Sequence, residues 1–270
     1  MLLYQEIVPD KRLANHILSY WKFEYHPEMA AGMPPKMLDH TVLPDGCVSL
    51  VFHYNQYVKQ RFSVLFGPRM QNYNTQIYPG SVFVGVRFFP GVVDALFGIS
   101  GAALRDQSID ASTICSNLNL GKLLECICKN FDQYELFDEE LLPFITKFAG
   151  KPDERITRAV SLIVAANGNI KMADIAGKVH LSERQLQRIF REKVGLTPKE
   201  FARIRRIRTS LIKMVLENRD LQEVIHNAGY FDQAHFIRDF GAIAGTNPTL
   251  FKKYISQIDH RNISPPDAQR

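Results

Sequence analysis

The chain repeats itself near its C-terminus at an offset of fifty residues, and this repeat restricts the possible folds more than any other feature. Ile175, Leu181, Leu186, Arg188, Phe190, Gly195, Pro198 and Phe201 stand opposite Ile225, Phe231, Phe236, Arg238, Phe240, Gly245, Pro248 and Phe251, with no gap between the two series. A unit of this size buries little of itself alone, so two copies imply a duplicated recognition element held in one rigid body.

Each copy reads as a helix, a tight turn and a second helix. Met172, Ile175, Ala176 and Val179 recur at helical spacing, His180 and Leu181 make the turn, and Ser182 stands at the N-cap of the next helix. Leu186, Ile189, Phe190 and Val194 give that helix a buried face before Gly195 stops it. Its other face carries Arg184, Gln185, Gln187, Arg188 and Arg191. In the second copy Leu221, Val224, Ile225 and Ala228 form the first stripe, Gly229 to Phe231 the turn and Asp232 the cap. Phe236, Phe240, Ile243 and Ala244 then line the inner face, with Gln233, Ala234, His235 and Arg238 outside.

Arginine donates two hydrogen bonds to the O6/N7 edge of guanine, and glutamine pairs with adenine at N6/N7. The start of the second helix of such a unit is the part that meets base edges. Ser182, Arg184, Gln185, Gln187, Arg188 and Arg191 are therefore candidate DNA contacts in the first unit, as are Gln233, Ala234, His235 and Arg238 in the second. A mixed Arg/Gln surface is also ordinary on a solvated helix; its appearance twice in matching register favours recognition. From Pro198 to Leu216 a long helix joins the units, and two readers of successive major grooves need a separation of roughly 34 Å. Arg203, Arg205, Arg206 and Arg208 lie along it, where some of them are expected to meet phosphates.

Residues from about Arg155 to Tyr254 resemble the AraC/XylS-type DNA-binding domain. The resemblance rests on Ile175 to Phe201 and on Ala228 to Phe240 followed by Gly245, Asn247 and Pro248. It implies a seven-helix body with base contacts at Arg184, Gln187 and Arg188 and at Gln233, Ala234 and Arg238. Its implied partners are double-stranded promoter DNA, RNA polymerase, a small-molecule effector and a second copy of the chain. Gly241 and Ala242 replace the basic residues common in the family after the second-unit phenylalanine, and Ala234 makes no polar base contact. The first unit is therefore expected to discriminate sequence more than the second.

Charge divides the chain in the same place. Residues 1–154 carry 13 Lys+Arg against 17 Asp+Glu, a net −4; residues 155–270 carry 20 against 11, a net +9. Only the basic part attracts phosphate non-specifically. The reading is an α+β chain of 270 residues: a strand-rich, mixed α/β domain over 1–150, barrel-like at most, then an all-α domain over 151–258 and a disordered tail over 259–270. Lys151-Pro152-Asp153 is the expected hinge. Met1 to Asp10 lacks the basic start and apolar run of a leader, and no segment reaches the roughly 20 apolar residues of a membrane span, which predicts a cytoplasmic protein. Four cysteines without ligand spacing predict neither metal nor cofactor.

In the first part, strands are predicted at 47–54, 62–66 and 82–89, the first preceded by the Pro44-Asp45-Gly46 turn. Helices are predicted at 13–20, 91–97, 118–128 and 139–148. Tyr20-Trp21, Leu43 to Phe52, Phe66 to Arg69 and Gly85 to Gly91 resemble a poorly characterised N-terminal domain of one branch of these regulators, which implies a sensor role. Trp21, Tyr25, Phe52, His53, Tyr54, Arg87 and Phe89 are candidate walls of an effector pocket, with Arg87 as anchor for an anionic or carbonyl group. The competing reading is a satisfied core in which Arg87 pairs with an acid such as Asp45. Two other functions are weighed: an N-terminal part that binds a protein partner or only dimerises, and a DNA-repair alkyltransferase with Cys47 as acceptor. The second is disfavoured because no local base or cation activates that thiol.

Overall fold

The computed structural model describes residues 1–26, 36–129 and 134–261. The elements run β1 (Leu2–Ile7), β2 (Ile17–Tyr25), β3 (Leu38–Val42), β4 (Ser49–Asn55), β5 (Arg61–Phe66), β6 (Tyr73–Ile77), β7 (Ser81–Phe88), α1 (Val93–Phe97), α2 (Gly101–Leu104), β8 (Ser108–Asp110), α3 (Leu120–Lys129) and α4 (Glu135–Phe148). Helices α5 (Glu154–Ala165), α6 (Met172–Lys178), α7 (Glu183–Val194), α8 (Pro198–Val215), α9 (Leu221–Asn227), α10 (Gln233–Ala244) and α11 (Pro248–Ile255) follow, and β9 (Ile258–Arg261) closes the series.

Seven strands form one sheet in the order β8-β5-β4-β7-β2-β1-β9, with β3 and β6 as a separate pair. The sheet is open, with β8 and β9 as its edges, so among the described residues no barrel closes. The helix expected at 13–20 is instead a short 3-10 turn at Lys11–Leu13 and the start of β2. Leu13, Ile17 and Tyr20 imitate helical spacing because β2 is central and buried on both faces, which hides the strand's period of two.

Alternation sorts the sheet's side chains. Tyr20, Leu50, Phe52, Leu65, Val82, Val84, Val86 and Phe88 lie on one face beneath the helices. Tyr4, Glu6, Ser19, Trp21, His53 and Arg87 lie on the other. Apolar packing does not stop at the expected 150/151 boundary. One cluster runs from Leu13 through the sheet and α4 to Ile156, Phe190, Phe201 and Ile204, so the first helix-turn-helix unit shares its core with the N-terminal sheet. The second unit has a separate cluster built on Met214, Tyr230, Phe236, Phe240 and Phe251.

The expected tail begins as a strand: β9 pairs in parallel with β1, Leu2 opposite Ile258 and Gln5 opposite Arg261. Residues 262–270, including Pro265 and Pro266, lie outside the described residues, as do the side chains of Cys126 and Cys128. No helix among the described residues is long and apolar enough to cross a membrane.

Candidate nucleic-acid interface

The first unit is α6, a turn and α7. Ser182 Oγ accepts from the Gln185 amide at 3.2 Å while Gln185 Oε1 accepts from the Ser182 amide at 3.0 Å, a capping box that fixes where α7 begins. Both residues were candidate base contacts; in the structure Ser182 Oγ and Gln185 Oε1 serve the cap, and only the Gln185 amide nitrogen is left to face outward. Arg184, Gln187, Arg188 and Arg191 are exposed on the helix. Arg188 is 71% exposed and sits 3.9 Å from Glu192, too loose an ion pair to hold it from a duplex. Gln233, Ala234, His235 and Arg238 are likewise exposed on α10, capped by Asp232, whose Oδ1 accepts from the His235 amide at 2.6 Å.

The two units do not superpose without a gap. First helices begin at Met172 and Leu221, 49 apart, whereas second helices begin at Glu183 and Gln233, 50 apart. The amides of Leu181 and Tyr230 make the same bond, to Ala176 O at 3.0 Å and to Ile225 O at 3.4 Å. Tyr230, not Phe231, is therefore the counterpart of Leu181, and Val224 that of Ile175. Phe231 is an extra residue in the second turn.

Helix α8 joins the units, and its arginines are committed inside the protein. Arg203 donates to Asp239 Oδ1 from Nε at 2.8 Å, Arg206 lies 5.1 Å from the Tyr230 ring centre, and Arg208 donates to Glu6 Oε1 at 3.0 Å. Arg205 is 3% exposed. The expected phosphate contacts are thus corrected to packing and ion-pair roles, because this helix runs between the sheet and the second unit. Asp239, also buried, accepts from Tyr230 Oη at 2.9 Å. Burial and then the Asp239 carboxylate push that phenol's pKa up, so it remains a donor. Sequence reading missed Tyr230 and Asp239. The signal was an acid on the otherwise apolar stripe of Phe236, Phe240 and Ile243.

The N-terminal part touches both recognition helices at their ends. Gly195 and Gly245 close α7 and α10 in left-handed conformation, φ 87° and 70°. A Cβ on Gly195 would fall 2.6 Å from Pro68 Cγ, and one on Gly245 would fall 2.8 Å from Asn72 Oδ1. One loop, residues 67–72, therefore abuts equivalent points of both units, and the Asn72 amide donates to Ile243 O at 2.8 Å. Lys193 of α7 pairs with Asp94 of α1, and Arg105 with Glu200 of α8 at 2.9 Å.

The seven candidate effector residues do not converge. Phe52 is in the helix-covered core with Phe137, and Tyr54 shares its side of β4; His53 points oppositely, between Phe62 and Phe83, donating to or accepting from Ser81 Oγ at 3.1 Å. Burial lowers His53 to about 4, so it is neutral near pH 7. Trp21 stacks on Tyr4 and covers Gly85, where a Cβ would meet the indole; Tyr25 Oη donates to Lys36 O at 2.7 Å; Phe89 is buried. Arg87 donates to Asp45 at 2.6 Å, to Glu6 at 2.9 Å and to Ser19 at 3.0 Å. Its hydrogen-bonding capacity is spent on the protein, which takes away its role as a ligand anchor. Burial alone would raise Glu6, but Arg87 and Arg208 outweigh it and hold that carboxyl down to about 2. Cys47 is buried, and burial pushes its thiol well up, which removes nucleophilic character.

Residues 175–254 match a family described as a helix-turn-helix domain, and residues 5–110 match a domain of unknown function. The C-terminal part of the chain is a helix-turn-helix domain. The chain is 30% identical across 83 residues to an uncharacterized HTH-type transcriptional regulator, YfiF, of Bacillus subtilis, covering 31% of this chain and 26% of that protein. It is 28% identical across 102 residues to the arabinose operon regulatory protein of Escherichia coli, covering 37% and 35% respectively. The matches therefore span between a quarter and two-fifths of these relatives. Among solved structures, ToxT from Vibrio cholerae O395 aligns over 88% of this chain and 96% of its own at 13% identity, with a TM-score of 0.44.

Proposed function

We propose that the chain is a sequence-specific transcriptional regulator that reads promoter DNA with α7 and α10 in successive major grooves. One observation carries this reading: two equivalent helices present exposed Arg and Gln side chains, while Arg203 and Arg208 of the connecting helix are engaged by internal carboxylates. That division of labour leaves α7 and α10 as the basic, hydrogen-bonding faces that a groove accepts. The region's net +9 supplies the sequence-independent attraction. A soluble cytoplasmic location and contact with RNA polymerase belong to the same reading, and a buried, unactivated Cys47 speaks against the alkyltransferase alternative.

Control by a small molecule is part of this proposal, at a place the sequence did not indicate. A cavity of about 410 Å³ is lined by Leu96, Phe97, Ile114, Phe144 and Phe148. It lies in the size range of small-molecule sites, and Asp94, Ser116 and Asn117 add polar groups to its apolar side chains. Its wall α1 carries Asp94, which pairs with Lys193 of α7, so an effector there would act on the first reader. Selection of duplexes from a random pool by the full chain, followed by footprinting, tests the core reading: two protected segments about one helical turn apart are expected. Absence of any enriched sequence defeats it. A metabolite extract that shifts affinity for the selected site in wild type but not in Asp94→Asn would support the effector route.

A further inference from the structure

Phe231 is 94% exposed, more than any other large apolar side chain among the described residues. The usual duty of an apolar residue at this position is to staple the helix start by packing on the residue five further along. In the first unit that arrangement holds: Leu181, just before the Ser182 cap, packs on the cluster containing Leu186. In the second unit Phe236 is fully buried without Phe231, because Tyr230 fills the space that Leu181 fills in the first. The extra residue in the turn thus frees a phenylalanine from the core and sets it beside the start of α10.

The surroundings identify what this ring meets. It precedes Asp232, the cap, and Gln233, the first residue of α10, and the start of a recognition helix is where base edges lie. Polar side chains flank it, with Gln233 Oε1 accepting from Gln222 Nε2 at 3.1 Å, and the region is basic. Apolar side chains read one base feature in the major groove, the C5-methyl of thymine. We infer that Phe231 contacts a thymine methyl at the edge of the sequence read by the second unit, so that this unit reads T·A there through an apolar contact, beside the base edges offered to Gln233 and Arg238. The inference rests on the regulator reading above and adds to it a specificity-determining residue.

The test uses the full chain and the duplex it selects, with each thymine of the second protected segment replaced in turn by deoxyuridine, which removes only the methyl. Wild type is expected to lose about fourfold in affinity at one position, the worth of burying one methyl-sized group. Phe231→Ala loses at least as much on the unmodified duplex and responds to no single replacement, while Phe231→Leu keeps part of the response. Both variants should melt as wild type does, since the side chain supports nothing inside. Wild-type indifference to every replacement overturns the inference, as does a Phe231→Ala protein that keeps the same sensitive position. If Phe231→Ala binds DNA like wild type but fails only in transcription with polymerase, the ring contacts protein and the inference is again overturned. A wild-type chain that enriches no duplex defeats the regulator reading itself, an outcome distinct from these.

Discussion

The two helix-turn-helix units share a fold but differ in what holds them. The first is part of the N-terminal body: Phe190 and Phe201 belong to the same cluster as Phe52 and Val84 of the sheet. The second has its own cluster and meets the N-terminal part at a smaller apolar seam, where Tyr254 and Ile255 pack with Leu2, Phe23 and Ile77, and through the Asn72 amide to Ile243 and β9 to β1. A shared apolar core transmits strain because it is close-packed, whereas a small seam at a boundary can open while both sides stay folded. The first unit is thus fixed to the N-terminal part and the second is the more separable.

Core truncation should break or uphold this contrast most clearly. Phe190→Ala and Phe236→Ala each remove a fully buried ring, at a cost of about 3–5 kcal/mol. Trp21, the chain's single tryptophan, lies in the N-terminal sheet beside its seam with α11 and reports chiefly on that part. Phe190→Ala should lower the tryptophan and far-ultraviolet transitions together. Phe236→Ala should split them, the tryptophan transition staying near wild type. Coincident losses in both variants would mean that the units are equally integrated.

Asp239→Ala leaves Arg203 and Tyr230 without their buried acceptor, a loss of about 3 kcal/mol confined to the second unit. Footprinting should then show the second protected segment fading before the first. At the readers themselves, Arg188→Ala is expected to cost about 1–3 kcal/mol at one base position, and Arg238→Ala less, because Ala234, Gly241 and Ala242 already thin the contacts around it. Equal losses in titrations against the selected duplex would refute that ranking.

The smallest effect is on acid stability. His40 of β3 hydrogen-bonds Tyr254 of α11, and burial lowers its pKa to about 4. The unfolded chain takes up this proton first, near pH 6.5. The folded state's advantage is therefore complete above about 6.5 and declines as pH falls toward 4. Denaturant melts between these limits should show His40→Asn with a flatter acid limb than wild type.

Much of the C-terminal part was legible because its determinants are local. Ser182 and Asp232 cap helices, Gly195 and Gly245 end them, and the apolar spacing of Leu186, Phe190 and Val194 places a buried face without reference to any distant residue. The inserted Phe231 was not legible, since a gapless comparison hides one extra turn residue behind an otherwise constant offset. The strand at 17–25 escaped for a related reason: double-sided burial erases the alternation by which strands are recognised. The proposed pocket residues divide between the two faces of the sheet, since type and proximity in sequence do not tell which face a side chain takes. Phe52 and His53 are neighbours in the chain and stand on opposite sides of it.

The amino-acid order by itself determined the duplicated helices, their caps and the exposed Arg and Gln faces, since each depends on interactions within one or two turns of chain. Tertiary structure alone decided that Arg208 answers Glu6 across 202 residues, that Arg87 is spent on Asp45 and Glu6, and that Ile258–Arg261 returns as a strand beside β1. Those outcomes turn on desolvation and pairing between groups that meet only once the chain is folded, and a charged side chain carries the same symbol whether it faces a phosphate or a buried carboxylate.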